Sequence, residues 1–299
     1  MATNPSNIQT CYHVRSNSLP SRSHPSTSEV DEHLSRLRAS EAASTFSSLS
    51  HKLNGLQDLH DCTDRLLQLP LTQQALAKEQ QRKYVDELLD GSLRLLDTCS
   101  TAKDALSQTK ECTQELQSIL CRRQGVETGL TIKVKKYFNS RKAVKKAIRK
   151  GLKNLKHVEN KRDTSSSSKG SETGATFSIL REVQGATSSV LGSLFSFIYG
   201  PEIEMKSSRW SLASKLMNTK RVRCEKEELH TNEISNAEAT LLPLASCKIS
   251  KSDNYMHIEN AQQELKKSEM CIQDLEEALE CLFRRLIKAR VTTLNFLNH

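Results

Sequence analysis

The last third of the chain carries the pattern that most constrains its fold. Apolar residues recur there at alternating steps of three and four, with charged residues between them. This spacing places one apolar stripe along an α-helix and is typical of a bundle or a coiled coil. The stripe consists of Leu265, Ile272, Leu275, Leu279, Leu282, Leu286, Val291, Leu294 and Leu297.

Two earlier leucine-rich runs show the same helical spacing. The first reaches Pro70, which cannot continue a helix comfortably, and the second extends to Gly125 and Gly129. We therefore expect residues 29–124 to form a long helical hairpin, with residues 176–299 as a C-terminal helical region packed on it. Only 4% of the residues are aromatic, whereas sheets draw on aromatic and β-branched residues. The sequence thus predicts an all-α fold, an elongated antiparallel helical bundle with coiled-coil-like long helices.

One segment concentrates the positive charge of the chain. Between Thr131 and Val158 there are eleven Lys or Arg residues and no Asp or Glu, while the whole chain has a formal net charge of +9. The remainder is therefore nearly neutral. Because Val144, Ile148 and Leu155 fall on one side of a helix, the segment predicts a basic amphipathic helix over residues 130–160 with its cations outward.

This basic helix is the candidate binding site for a negatively charged partner. The candidate residues are Lys135, Lys136, Arg141, Lys142, Lys145, Lys146, Arg149, Lys150 and Lys153. The pattern also fits a solvated face that only keeps the chain soluble. The binding interpretations are an anionic lipid surface, an acidic protein such as a calmodulin-like groove, and nucleic acid. Nucleic acid is disfavoured, since Tyr137 and Phe138 are the only aromatic residues in this basic segment and no recognised motif surrounds them.

The lipid interpretation has a second element. An apolar patch would rest on the membrane beside the lysines if it were exposed, and burial of the patch in the bundle would argue against this. The patch consists of Leu194, Phe195, Phe197 and Ile198.

Two segments have compositions typical of unpacked chain. Residues 1–28 mix proline with serine and asparagine and are predicted to be a disordered tail, and residues 161–175 are predicted to be a Ser-rich linker. Within the tail, the string from Arg15 to Pro20 has the layout of a phosphoserine motif for a 14-3-3 type protein, with Ser18 as the acceptor. An organelle transit peptide is an open alternative, because the tail has arginines, many serines and no acidic residue.

The region between the basic helix and the C-terminal stripe gives weaker patterns. A short helix is predicted around Trp210, Leu212, Leu216 and Met217. Residues 219–254 are polar, contain Pro243 and allow no secondary-structure prediction.

No pattern points to catalysis, a cofactor or a metal. There is no Gly-rich phosphate loop, no nucleophile elbow and no Cys-x-x-Cys or His-x-x-x-His spacing, so we expect neither an enzyme nor a metal site. The nine cysteines fit free thiols of an intracellular protein, cytoplasmic or peripheral to a membrane. The C-terminal stripe is expected to pack within its own chain, with self-association as the alternative.

Several strings together resemble the plant BYPASS-like family. They are spread over almost the whole chain, at Tyr12–Pro25, Asp90–Asp97, Tyr137–Lys142, Trp210–Met217 and Leu282–Val291. The resemblance implies a mostly helical plant protein, with relatives linked to root and shoot development and to signalling between those organs. It carries over no catalytic residue. The expected function is that of a non-enzymatic regulatory or adaptor protein acting through helix-mediated protein contacts, with a peripheral protein on anionic lipid as the alternative.

Overall fold

The structure is a computed structural model that describes residues 25–39, 45–122, 127–160, 172–200, 232–245 and 251–297. Within these ranges it consists of α-helices, one short 3-10 turn and no strand, which confirms the all-α prediction. The helices are α1 (Pro25–Ala39), α2 (Phe46–Leu67), α3 (Pro70–Leu76), α4 (Arg82–Cys121), α5 (Glu127–Asn160), α6 (Glu172–Tyr199), α7 (Glu233–Leu244) and α8 (Lys251–Leu297).

The longest helices, α4 and α8, form an antiparallel pair that organises the bundle. Their side chains meet in one continuous antiparallel register, with Lys110 Nζ 2.9 Å from Glu276 Oε2 and Gln114 Nε2 2.6 Å from Glu269 Oε1. The apolar stripe of α8 is buried from Leu265 to Leu286. The C-terminal stripe therefore packs within its own chain.

The end of this stripe differs from the prediction. Val291 and Leu294, which continue the same spacing, are exposed. Helix α8 continues past the part of the bundle that covers this face. Its apolar residues therefore keep the helical spacing there although they are no longer buried.

The predicted hairpin over residues 29–124 is wrong in its packing. Helices α2 and α4 share no extended contact, and each packs instead on α6 and α8. Helix α2 runs parallel to α8, and the Arg285 guanidinium binds both carboxylate oxygens of Asp61, at 2.9 and 2.8 Å. The first leucine-rich run also supplies two helices, α1 and α2, rather than one.

Several predicted boundaries are corrected by the helix ends. Helix α1 begins at Pro25, inside the predicted tail of residues 1–28, because proline suits the first turn of a helix, where its missing N–H has no partner to lose. Helix α5 begins at Glu127 and contains Gly129, which was expected to lie in the break before the basic helix of residues 130–160. Helix α6 begins at Glu172, inside the predicted linker of residues 161–175.

Local sequence explains the helix ends that were predicted well. Helix α2 ends at Leu67, and Pro70 starts α3, as expected for a residue that cannot continue a helix. Helix α6 ends at Tyr199, and Gly200 follows with a φ of 66°. Glycine adopts that left-handed conformation without a Cβ clash.

Helix α7 lies in the segment for which the sequence allowed no prediction. The Asn232 side chain caps it by accepting a hydrogen bond from the Ser235 amide at 2.9 Å. Pro243 lies in its last turn. Its apolar residues Ile234, Ala237 and Leu241 are all buried, so tertiary packing forms a helix where the weak sequence period did not indicate one.

The buried residues form one main cluster and two smaller ones. The main cluster joins α1, α2, α4, α5, α6 and α8 along the middle of the bundle, and Ile234 of α7 also belongs to it. A second cluster closes one end around Tyr137 of α5, and a third closes the other end around Phe177 of α6. None of the helices within the described ranges is both long enough and apolar enough to cross a bilayer.

Candidate anionic-partner surface

Helix α5 has two faces of opposite character. Val134, Val144, Ile148 and Leu155 are buried on the inner face, because they recur at the three- and four-residue steps that share one side of a helix. Lysines fill the intervening positions on the outer face. The predicted amphipathic helix is therefore present, and its orientation decides which cations reach solvent.

Five exposed lysines form a continuous row, which we call the lysine stripe. Its members are Lys135, Lys142, Lys146, Lys150 and Lys153. At 3.6 residues per turn they fall within an arc of roughly 80°, and at 1.5 Å per residue the stripe is roughly 27 Å long. Within the described part of the chain, none of these lysines has a carboxylate partner. The stripe therefore presents unpaired ammonium groups to solvent.

Two other predicted lysines are held by the protein itself. Lys136 Nζ lies 2.8 Å from Glu115 Oε1 of α4, and this hydrogen bond raises the pKa of Lys136 and lowers the pKa of Glu115. Lys145 Nζ lies 3.2 Å from Glu238 Oε2 of α7, and its side chain is 19% exposed. Both cations are thus partly neutralised before any partner arrives.

Arg149 lies at the edge of the lysine stripe. It is exposed and donates a hydrogen bond to Tyr199 Oη, and its guanidinium carbon lies 5.5 Å from the centre of the Tyr199 ring. Lys145 approaches the same ring, at 5.7 Å. Contacts of this kind between a cation and an aromatic face fix the end of α6 against α5.

The prediction that Arg141 faces outward is wrong. Its side chain is 2% exposed, and Nε lies 2.6 Å from Glu238 Oε1. Nη1 donates to Thr109 Oγ1 at 3.0 Å, and Nη2 donates to the Ile198 carbonyl at 2.7 Å. One guanidinium therefore joins four helices, α4, α5, α6 and α7.

The position of Arg141 follows from two needs of its neighbours. The Ile198 carbonyl lies in the last turn of α6, where carbonyls have no partner within the helix and where the helix dipole favours a cation. Asn232 Nδ2 satisfies the adjacent Phe197 carbonyl in the same way, at 2.7 Å. The carboxylate of Glu238, whose side chain is 3% exposed, supplies the countercharge that a buried guanidinium requires.

The aromatic residues that nucleic acid or lipid would use are inside the protein. Tyr137 and Phe138 are buried, and burial raises the pKa of Tyr137. The apolar patch is buried as well, with Leu194, Phe195 and Ile198 fully so. Ile132 is the single large apolar side chain that α5 exposes among its described residues. The described part of α5 therefore exposes no aromatic side chain for base stacking and offers only Ile132 for apolar insertion.

Sequence reasoning missed Glu238, which fixes the inner end of the site. It lies in the segment for which no secondary structure was predicted. A carboxylate between the apolar residues Ala237 and Leu241 was the available signal, since an acid on an apolar helical face needs a buried cation. Ser18, the predicted phosphoserine, lies outside the described residues, as do Trp210 and the other residues of the predicted short helix. The roles assigned to them stay predictions.

Comparison with protein families shows which family the chain belongs to. A family model described as Protein BPS1 matches residues 52–296, which is most of the chain. The chain belongs to the BPS1 family. This confirms the resemblance to BYPASS-like proteins and supports a general role as a plant developmental regulator. No curated protein and no solved structure matches the chain.

The family match covers the lysine stripe and the buried Arg141–Glu238 pair. It begins within α2, at residue 52, and so does not include α1. The anion-facing surface therefore lies within the part of the chain that the family model matches.

Proposed function

We propose that this protein is a non-enzymatic regulatory or adaptor protein in root and shoot development that binds an acidic protein surface through the lysine stripe. The observation that carries this proposal is the row of five exposed lysines without carboxylate partners within the described part of the chain. Since Lys136 and Lys145 have internal partners, the unpaired lysines in the described part of α5 lie on one narrow surface. Membership of the BPS1 family supports the developmental setting.

The rigidity of the stripe favours binding of a specific partner over non-specific attraction of anions. The inner face of α5 is held in place by the contacts of Arg141 with three other helices and by the packing of Gly151 against Phe195. The five lysine Cα atoms are therefore held at fixed spacing along the helix. A partner with carboxylates at similar spacing gains complementary contacts and fast electrostatic association.

An acidic protein is favoured over a lipid surface by the burial of the apolar patch. Lipid binding by a helix combines electrostatic attraction with apolar insertion. Phe195 and Phe197 lie in the core, so the described part of α5 offers only Ile132 for insertion, and the attraction to lipid would be mainly electrostatic. An acidic protein surface needs no apolar insertion.

The experiment is proximity labelling in root and shoot cells with three forms of the full chain. One is the natural chain. The second replaces the five stripe lysines with Gln, and the third is a matched control that also removes five exposed cations by replacing Lys78, Arg82, Lys83, Arg122 and Lys266 with Gln. The proposal expects a set of acidic neighbours that the stripe variant loses and the control variant keeps.

Two outcomes would redirect or end the proposal. Identical neighbours for all three forms would show that the stripe is only a solvated face. Sedimentation of the purified chain with anionic but not neutral vesicles, abolished in the stripe variant alone, would identify lipid as the partner instead. Both measurements should be made at low and at physiological salt, since salt screens exposed charges.

A further inference from the structure

A cluster of three ligand-type side chains joins α1 to α2, away from the lysine stripe. Glu29 and His33 lie four residues apart on α1, which places them one above the other on one face of the helix. Cys62 lies on α2, which packs against α1. A carboxylate oxygen of Glu29, a ring nitrogen of His33 and Sγ of Cys62 all lie within 4.8 Å of one another.

The donor set selects a class of metal. A thiolate, an imidazole and a carboxylate are the three side-chain ligands that Zn²⁺ accepts, at metal–ligand distances of about 2.0 to 2.3 Å. Sulfur and nitrogen donors disfavour Mg²⁺ and Ca²⁺, which prefer oxygen alone. Three protein ligands leave the fourth tetrahedral position of zinc for a water molecule.

A cation already bridges two of these donors. Arg65 Nη2 lies 2.6 Å from Glu29 Oε1 and 3.0 Å from Cys62 Sγ. A guanidinium therefore contacts two of the three candidate ligand atoms in this structure.

A metal ion can displace Arg65 from its contacts with Glu29 and Cys62. Its side chain is 53% exposed, whereas Cys62 is 3% exposed. Moving an exposed guanidinium into water costs little, since an exposed ion pair contributes only about 0 to 1 kcal/mol. A divalent ion that enters from solvent can thus replace Arg65 without disturbing the core.

We propose that Glu29, His33 and Cys62 bind Zn²⁺ or a similar thiophilic divalent cation, with Arg65 as the group that the metal displaces. Cys62 releases its thiol proton to solvent as the sulfur–metal bond forms, and His33 binds as the neutral imidazole. The bound ion fastens α1, which lies outside the family match, to α2 of the family fold. The lysine stripe takes no part in this site.

The test is a titration of the chelator-treated full chain with Zn²⁺, followed by calorimetry, and with Co²⁺, followed by its thiolate charge-transfer absorption. We expect one ion per chain. Cys62→Ser and His33→Ala should each weaken binding at least tenfold, and Cys62→Ser should remove the charge-transfer band. Arg65→Gln should tighten binding severalfold, because the competing cation is gone. His51→Ala and Cys281→Ser, which alter an exposed histidine and an exposed cysteine elsewhere, should bind like the natural chain.

Two results would overturn the site. One is the absence of stoichiometric binding, and the other is binding that is equal in Cys62→Ser, His33→Ala and the control variants. Weaker binding by Arg65→Gln would contradict the displacement of the arginine. Circular dichroism of each metal-free variant shows whether it is folded, and the milder Glu29→Gln replaces any variant that is not, with the same expectation of weaker binding.

Discussion

Arg141 and Lys142 are neighbours in the sequence and both are cationic, yet Arg141 is buried among four helices whereas Lys142 is exposed on the lysine stripe. Consecutive helical residues point about 100° apart, so adjacent positions of α5 belong to different faces. The inner face uses positive charge to hold the bundle together. The outer face leaves positive charge available for a partner.

The comparison teaches that one charge can have opposite energetic roles on the same helix. On the inner face, the low-polarity surroundings make each hydrogen bond of Arg141 strong and make its loss costly. On the outer face, water and salt screen each lysine, so its removal hardly changes folding. The two faces can therefore be separated by experiment.

The largest effect should come from the inner face. Arg141→Met removes the buried guanidinium and leaves the Glu238 carboxylate and the Ile198 carbonyl without that partner. Breaking a buried pair in this way costs about 3 to 5 kcal/mol, and Lys145, which still reaches Glu238, should keep the loss near the lower value, about 3 kcal/mol. Chemical denaturation followed by circular dichroism measures the free energy of unfolding.

Two variants sharpen this prediction. Arg141→Met combined with Glu238→Leu should recover most of the loss, because no buried carboxylate is then left unpaired. Lys142→Met, at the neighbouring outer position, should change the free energy of unfolding by less than about 0.5 kcal/mol. Equal losses from Arg141→Met and Lys142→Met would contradict the assignment of the two faces.

A smaller effect is expected where α5 meets α6. A Cβ added at Gly151 would lie 2.7 Å from Cε2 of Phe195, which is fully buried. Gly151→Ala should therefore destabilise the protein by about 1 to 3 kcal/mol through overpacking, although alanine favours helix more than glycine does. A combined change of Gly151→Ala with Phe195→Leu should relieve part of the clash, and stabilisation by the single change would show that the two helices are not in close contact.

The smallest effect should come from the lysine stripe. Replacement of its five lysines by Gln should leave the thermal unfolding midpoint nearly unchanged, because none of them has a carboxylate partner among the described residues. Any difference should shrink further as salt is added. A large loss of stability would mean that the stripe is structural, and the labelling experiment would then need single-lysine variants.

The sequence predicted the helical elements better than their packing. Leucine spacing located α4 and α8, and Pro70 and Gly200 marked helix ends, because these signals act within a few residues. The hairpin of residues 29–124 failed, since leucines show which face is buried and not which helix covers it. Val291 and Leu294 show the same limit of sequence-based prediction. They continue the apolar spacing of α8, but among the described residues no other helix packs over them, and both are exposed.

For the candidate site, the sequence by itself determined a cationic amphipathic helix and most of its outward lysines, because charge and helical period are local properties of the chain. Only the tertiary structure decided that Arg141 turns inward, since its partners Thr109, Ile198 and Glu238 come from three other helices. It also decided that Phe195 and Phe197 are buried, and that Glu29, His33 and Cys62 meet. Such contacts join residues that are far apart along the chain. They form, and stabilise the fold, only when the helices pack together, so no local sequence pattern predicts them.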